Sequence, residues 1–319
     1  MSTVTDSRVA EQPGLPPELR AARRRKVRRQ RLAPVFYIGP AFLAIAAIIG
    51  YPVVNAIGTS FLDASLLRPG QDTFAGLDNY LALFGDPQFL LVLGRTVVWA
   101  ASALVVQLGL GLLIANTLNK KLRARGAIRT TLIIPWIVPT VLVALIWRFL
   151  LDPVTGPINE LLRSSGLLEN PPVWLADTRF VLPILVLISA WKWTPFGAVI
   201  LLAGMQQIPQ EQHEAAMVDG ANAWQRFRNV TVPAIRTSIA LVTLTTISGA
   251  INNFNGIWLF TRGGPAGATE ILTTLAYRTA FTQFDFGKAS AISVVIFAMM
   301  MVIAVIYFYV VEGRKGGPR

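Results

Sequence analysis

Few side chains in this sequence could do covalent or metal chemistry. There is no cysteine and a single histidine, His213, which removes disulfides, thiolate nucleophiles and a zinc ligand set. His213 reads as a solvated loop residue rather than a base. The glycine-rich turn "TRGGPAGATE" lacks the Lys-Ser or Lys-Thr that completes a phosphate-cradling loop, so it reads as a tight turn. The groups that remain are polar and aromatic residues inside apolar runs. Ser189, Trp191, Lys192, Trp193, Thr194 and Phe196 surround Pro195, and Asn252, Asn253 and Asn255 stand in "GAINNFNGIW". At membrane depth such groups mark a pathway or a helix contact. Flat aromatic faces with amides suit the ring faces and hydroxyls of a carbohydrate. Amides that join helices and rings that fill the bundle are the alternative.

The elements that must position these groups are membrane helices. Apolar residues make up 53% of the chain and charged residues 14%, against about 25% charge in a soluble average. Six apolar runs, at residues 34–61, 96–118, 130–151, 180–205, 237–260 and 289–311, match the roughly 20 helical residues that cross a bilayer. A soluble domain would show shorter runs with a polar stripe at helical spacing. The expected fold class is therefore all-α, with six transmembrane helices. Pro195 is expected to kink or unwind the fourth span and expose backbone groups to a cavity.

The net charge of +12 is clustered rather than spread. Arg23, Arg24, Arg25, Lys26, Arg28 and Arg29 precede the first span, and Lys120, Lys121, Arg123, Arg125 and Arg129 follow the second. With six crossings both termini share one side with the second-to-third and fourth-to-fifth loops, and these segments hold 20 of the 29 lysines and arginines. The positive-inside rule places them in the cytoplasm. Contact with anionic membrane lipid accounts for the arginine run without invoking nucleic acid. No cleavable leader is evident, so the first span reads as a retained anchor. The expected organisation is a basic tail at 1–33, a six-helix transmembrane domain at 34–311 with a cytoplasmic loop at 206–236, and a tail at 312–319.

That loop holds the one tightly spaced pattern, "EAAMVDGANAWQRFRNVTVP". Pro209 suits a first helical turn, Glu211 and Glu214 favour its positive end, and Gly220 can take the left-handed stop. A second helix is expected over residues 221–231, with Trp224, Phe227 and Val230 on one side, ended by Pro233. This is an elbow under the membrane, packed on its own spans or docked in a partner's groove. On the opposite side, Leu77, Tyr80, Leu81 and Phe84 predict a short helix on the membrane surface, and residues 158–162 another.

The spacing Glu214-Ala215-Ala216-x3-Gly220-x9-Val230-x-Val232-Pro233 resembles the EAA signature of membrane subunits of binding-protein-dependent ABC importers, with valines at the family's isoleucine and leucine. "GLDNYLALF", "WKWTPFGAVILLAGMQQIP", "FTRGGPAGATE" and "AYRTAFTQFDFGKASAISVV" are similar to the MalF-like, carbohydrate-importing branch. Six spans and no large extracytoplasmic insertion distinguish the chain from the maltose prototype, so maltose itself does not carry over. The resemblance implies a type I ABC importer permease fold, and coupling through Glu214, Ala215, Ala216, Asp219, Gly220 and Pro233. It implies cargo contacts at or beside Ser189, Lys192, Trp193, Phe196, Asn252 and Asn253. The implied partners are a second permease, a dimeric cytoplasmic ATPase that binds ATP and Mg, and an extracytoplasmic solute-binding protein; no cofactor is expected in this chain. Glycerol phosphate or another small polar solute is the alternative cargo. An unrelated secondary carrier or membrane enzyme fits less well, because no span carries Asp or Glu and no catalytic cluster is evident.

Overall fold

A computed structural model describes residues 39–120 and 125–312; the basic tail, Lys121, Arg123 and the last residues lie outside these. Contacts divide the chain into two units, Met1–Gly58 and Thr59–Arg319. The described part of the first is helix α1 (Gly39–Thr59) up to Gly58, with Phe42, Leu43, Ile48 and Ile49 exposed, as befits a lipid-facing span.

The second unit begins with a two-stranded antiparallel ribbon, β1 (Leu62–Asp63) against β2 (Thr73–Phe74), and a short helix, α2 (Asp78–Gly85). Helix α3 (Pro87–Asn119) is the longest element. It starts well before the expected position 96 because Asp86 caps it, accepting from the Gln88 amide at 2.9 Å, and Pro87 fits the first turn. Then follow α4 (Arg125–Ile137), α5 (Thr140–Leu150), α6 (Pro157–Ser164) and α7 (Val181–Met205). The elbow supplies α8 (Gln210–Val218) and α9 (Ala223–Ala234). The chain ends in α10 (Arg236–Ile251), α11 (Phe254–Thr261), α12 (Leu272–Phe281) and α13 (Phe286–Glu312).

Among the described residues, four helices are long and apolar enough to cross a membrane alone, and counting each of two bent pairs as one span gives six. The bends depart from the expected continuous rods. The third span breaks between α4 and α5 by 95°, where Pro139 has no amide to continue the ladder and its ring disfavours the helical region at the preceding residue. The elbow's α9 meets α10 at 74°, and the fifth span stops at Ile251 and restarts at Phe254. There Asn252 turns its amide to the Ser248 carbonyl (3.0 Å) and Asn253 caps α11 by accepting from the Gly256 amide (3.0 Å). Helix α7, by contrast, runs unbroken through Pro195, so the expected unwinding does not occur there.

The core lies along α3, α7 and α10. Trp99, Ala103, Leu185, Ile188, Ala250 and Ile251 are buried together in one half, and Ala115, Leu201, Met205 and Val242 in the other. Small residues bring the backbones close: a methyl on Gly204 would lie 2.4 Å from the Ser238 hydroxyl, and one on Gly197 3.1 Å from Val242. Of the expected face on α2, Tyr80 packs inward beside Leu83, whereas Leu77, Leu81 and Phe84 stay exposed.

Candidate functional site

Both interior breaks and the two unbroken core helices meet at a cavity of about 260 Å³. Helix α3 contributes Gln107, α4 contributes Trp136 and α7 contributes Ser189, Trp193, Phe196 and Gly197. Thr245, Thr246, Gly249 and Ala250 of α10, with Asn253 at the break, complete the lining. Its walls are aromatic. Trp136 and Phe196 stack with centroids 5.5 Å apart and planes 18° from parallel, and Trp136, Trp193 and Phe196 remain 41%, 42% and 39% exposed. Rings that only filled a core would be covered; these present open faces. Polar groups stand between them, with the Gln107 amide 3.4 Å from the Ser189 hydroxyl. No residue in this lining carries a formal charge.

The cavity thus gathers Ser189, Trp193, Phe196 and Asn253, and leaves out Lys192 and Asn252. Lys192 is buried, its Nζ donating to the Val138 carbonyl. Asn252 is spent on Ser248 and lies 3.8 Å from the Met300 sulfur. The sequence reading passed over Gln107, Trp136, Thr245, Thr246 and Gly249. Gln107 carried the same signal as Asn253, an amide inside an apolar run; Trp136 could be placed only once the break at Pro139 was known. The opposite side of the α10–α11 break is held by α3, whose buried Trp99 Nε1 donates to the Ala250 carbonyl at 3.0 Å.

The elbow is a second candidate site. Helix α8 ends in a Schellman motif: the amides of Gly220 and Ala221 donate to the carbonyls of Met217 (3.0 Å) and Ala216 (2.9 Å), and Gly220 has φ +78°. Within α8, Gln210 donates to the Glu214 carboxylate at 2.7 Å. Asn222 and Gln225 then form a capping box that starts α9 at Ala223, two residues later than the spacing predicts. Pro233 sits inside the last turn of α9 rather than ending it, and Ile235 marks the corner. Phe227 packs against the core beside Ile208 and Leu132, while Ala215, Met217, Val218, Asp219 and Trp224 face outward. The elbow is therefore anchored on its own spans by one side and open on the other.

At the other end of the helices, the turn "TRGGPAGATE" folds back on itself. The Thr269 hydroxyl donates to the Gly264 carbonyl at 2.7 Å, and the loop is fastened to α3 by Arg95 donating to the Gly267 carbonyl at 2.8 Å. Glu270 is buried and paired with Arg278 of α12 at 3.0 Å. Burial pushes its carboxyl above the usual range, opposed by the charges of Arg278 and Arg95.

A broken-helix membrane bundle with a central cavity and a projecting elbow is the architecture of a permease. The chain belongs to the family described as binding-protein-dependent transport system inner membrane component, whose model matches residues 107–314. It is 34% identical over 268 residues to the inner membrane ABC transporter permease protein YcjO of Escherichia coli, covering 83% of this chain and 89% of that one. It is 31% identical over 276 residues to the trehalose/maltose transport system permease protein MalF of Thermococcus litoralis, covering 86% and 92%. A chain of the bacterial alginate ABC transporter, solved in complex with an alginate pentasaccharide-bound periplasmic protein, superposes with a TM-score of 0.77 at 21% identity, over 91% of this chain and 98% of that chain. The fold is that of a type I ABC importer permease, and the chain is a transport component rather than an enzyme.

Proposed function

We propose that this permease carries an uncharged sugar or oligosaccharide through the cavity between the two interior breaks, in an importer driven by a partner ATPase. The observation that carries this reading is the lining itself: three open aromatic rings, hydroxyls and amides, and no formal charge. Aromatic faces pair with the C–H faces of a pyranose, and Gln107, Ser189 and Asn253 offer donors and acceptors to its hydroxyls. A phosphorylated cargo needs a cation, and the nearby Lys192 is already engaged by Val138.

The same reading gives the elbow to the ATPase. Ala215, Val218 and Trp224 are exposed on a loop assigned by its charge to the cytoplasm, together with both termini. In this account two copies of a cytoplasmic ATPase bind ATP and Mg and close on ATP, moving α8 and swinging the spans as rigid bodies. A second permease completes the cavity, and an extracytoplasmic solute-binding protein delivers cargo to the face that carries Gly267 and Glu270. Glu214, Ala215, Ala216, Asp219, Gly220 and Pro233 serve coupling. Ser189, Trp193, Phe196 and Asn253, with Gln107 and Trp136, serve cargo.

The test is to purify the tagged chain from its own membrane, identify the chains that accompany it, and reconstitute the complex in vesicles. A second permease and an ATPase should co-purify, and ATP-dependent uptake should favour neutral sugars over their phosphates or uronic acids. Preferential uptake of a phosphorylated or anionic solute would overturn the cargo assignment. Thiol labelling of single cysteines at Arg226 and at Glu160 should find the first cytoplasmic and the second outside; the reverse would remove the coupling role.

A further inference from the structure

The geometry points to Lys192 as a positioning residue, one that holds the α4–α5 break at its angle and thereby sets the aromatic wall of the cavity. This rests on the cavity being the cargo path. Lys192 is 5% exposed and lies on α7 one residue before Trp193, so a rotation of about 100° turns it away from the face its neighbour presents. Its Nζ donates to the carbonyl of Val138, a residue in the two-residue gap between α4 and α5.

That carbonyl has a particular need. A helix that stops leaves its last carbonyl groups without intrahelical partners, and in a span no water is at hand to satisfy them. The carbonyl end of α4 also carries partial negative charge, which a lysine complements. The bend of 95° thus presents an acceptor, and α7 supplies the donor from across the bundle. The Nζ lies 5.4 Å from the centroid of the Trp193 ring, so it holds that ring as well. Trp136 stands two residues before Val138, and its stacking partner Phe196 lies one helical turn beyond Lys192. One hydrogen bond therefore fastens together the two helices that carry all three aromatic walls.

The chain has no cysteine, so spin labels at Thr130→Cys on α4 and Leu145→Cys on α5 can report the bend in the purified complex without cargo. With Lys192→Met the distance distribution should shift or broaden, and the apparent KM for uptake should rise about tenfold, the loss of one strong hydrogen bond. Lys192→Arg, which keeps a cationic donor, should return the wild-type distribution. Should Met prevent assembly, Lys192→Leu, which likewise has no donor, carries the same comparison. A distribution in Lys192→Met identical to wild type overturns the proposal, and reduced uptake with that unchanged distance would mean that Lys192 touches cargo itself. A shifted distribution with unaltered uptake would instead uphold the positioning role and refute the cargo role of the aromatic wall.

Discussion

Trp136 of α4 and Phe196 of α7 stack across the cavity, with ring centroids 5.5 Å apart and planes 18° from parallel. They are sixty positions apart in the chain, and the packing of α4 on α7 brings them face to face. The stack makes a flat apolar surface beside the Ser189 and Gln107 polar pair, so stacking and hydrogen bonding are available to one ligand at once.

Trp193→Ala and Trp136→Ala should each weaken cargo handling by about 1–3 kcal/mol, roughly 5- to 150-fold in apparent affinity, through loss of a ring face. Uptake in vesicles measures this, with co-purification as the control for assembly. At Asn253 the side chain also caps α11. Asn253→Ser, which keeps a capping oxygen, should impair uptake with little loss of stability. Full uptake in all three variants would make these residues structural filler.

Trp99→Phe removes one donor and keeps most of the buried ring. The Ala250 carbonyl then loses the Nε1 partner at 3.0 Å, which should cost about 1–3 kcal/mol in a site without water. A lower unfolding midpoint in detergent is the expected result. An unchanged midpoint would show that the second break is held by its own asparagines alone.

The elbow separates self-packing from docking. Ala215 is exposed and Ala216 half-buried, so Ala215→Trp adds bulk to the open face without an internal clash, and should reduce ATPase co-purification and cargo-stimulated hydrolysis. Gly220 has open space around it but φ +78°; Gly220→Val should cost about 1 kcal/mol or more by strain in the left-handed region and loosen the link between hydrolysis and uptake. Glu214→Lys should be worse than Glu214→Gln. Normal ATPase binding and stimulation in the Ala215 variant would confine the elbow to self-packing.

Glu270 gives a pH prediction. Burial raises its carboxyl above the ordinary value, with Arg278 and Arg95 pulling it back. A carboxyl whose pKa is raised on folding binds its proton more tightly when folded, so its stabilising contribution is full at low pH and is lost as pH climbs through the raised value. Glu270→Gln removes that slope. The midpoint of the variant, taken relative to wild type, should therefore rise as pH goes from about 4 to about 7, the window above an ordinary Glu. A difference that falls over this range would show that the Arg278 pair outweighs burial.

The sequence by itself determined that this is a bundle of apolar helices, because a span must carry a long uninterrupted apolar run and charge must lie beside it. It also determined the α8 turn, since the Pro209 start and the Gly220 stop act within a few residues, and Gly220 takes the left-handed conformation. It did not determine where helices break. Pro195 sits in an intact helix while Pro139 marks a 95° bend, and at that bend the Val138 carbonyl accepts from Lys192 of α7, a partner far along the chain. Asn252 and Asn253 are adjacent and alike in sequence, yet Asn252 turns back to the Ser248 carbonyl and leaves the cavity, while Asn253 caps α11 and lines it. One residue rotates the chain by about 100°, and only the packing of α3, α7 and α10 decides which direction faces open space.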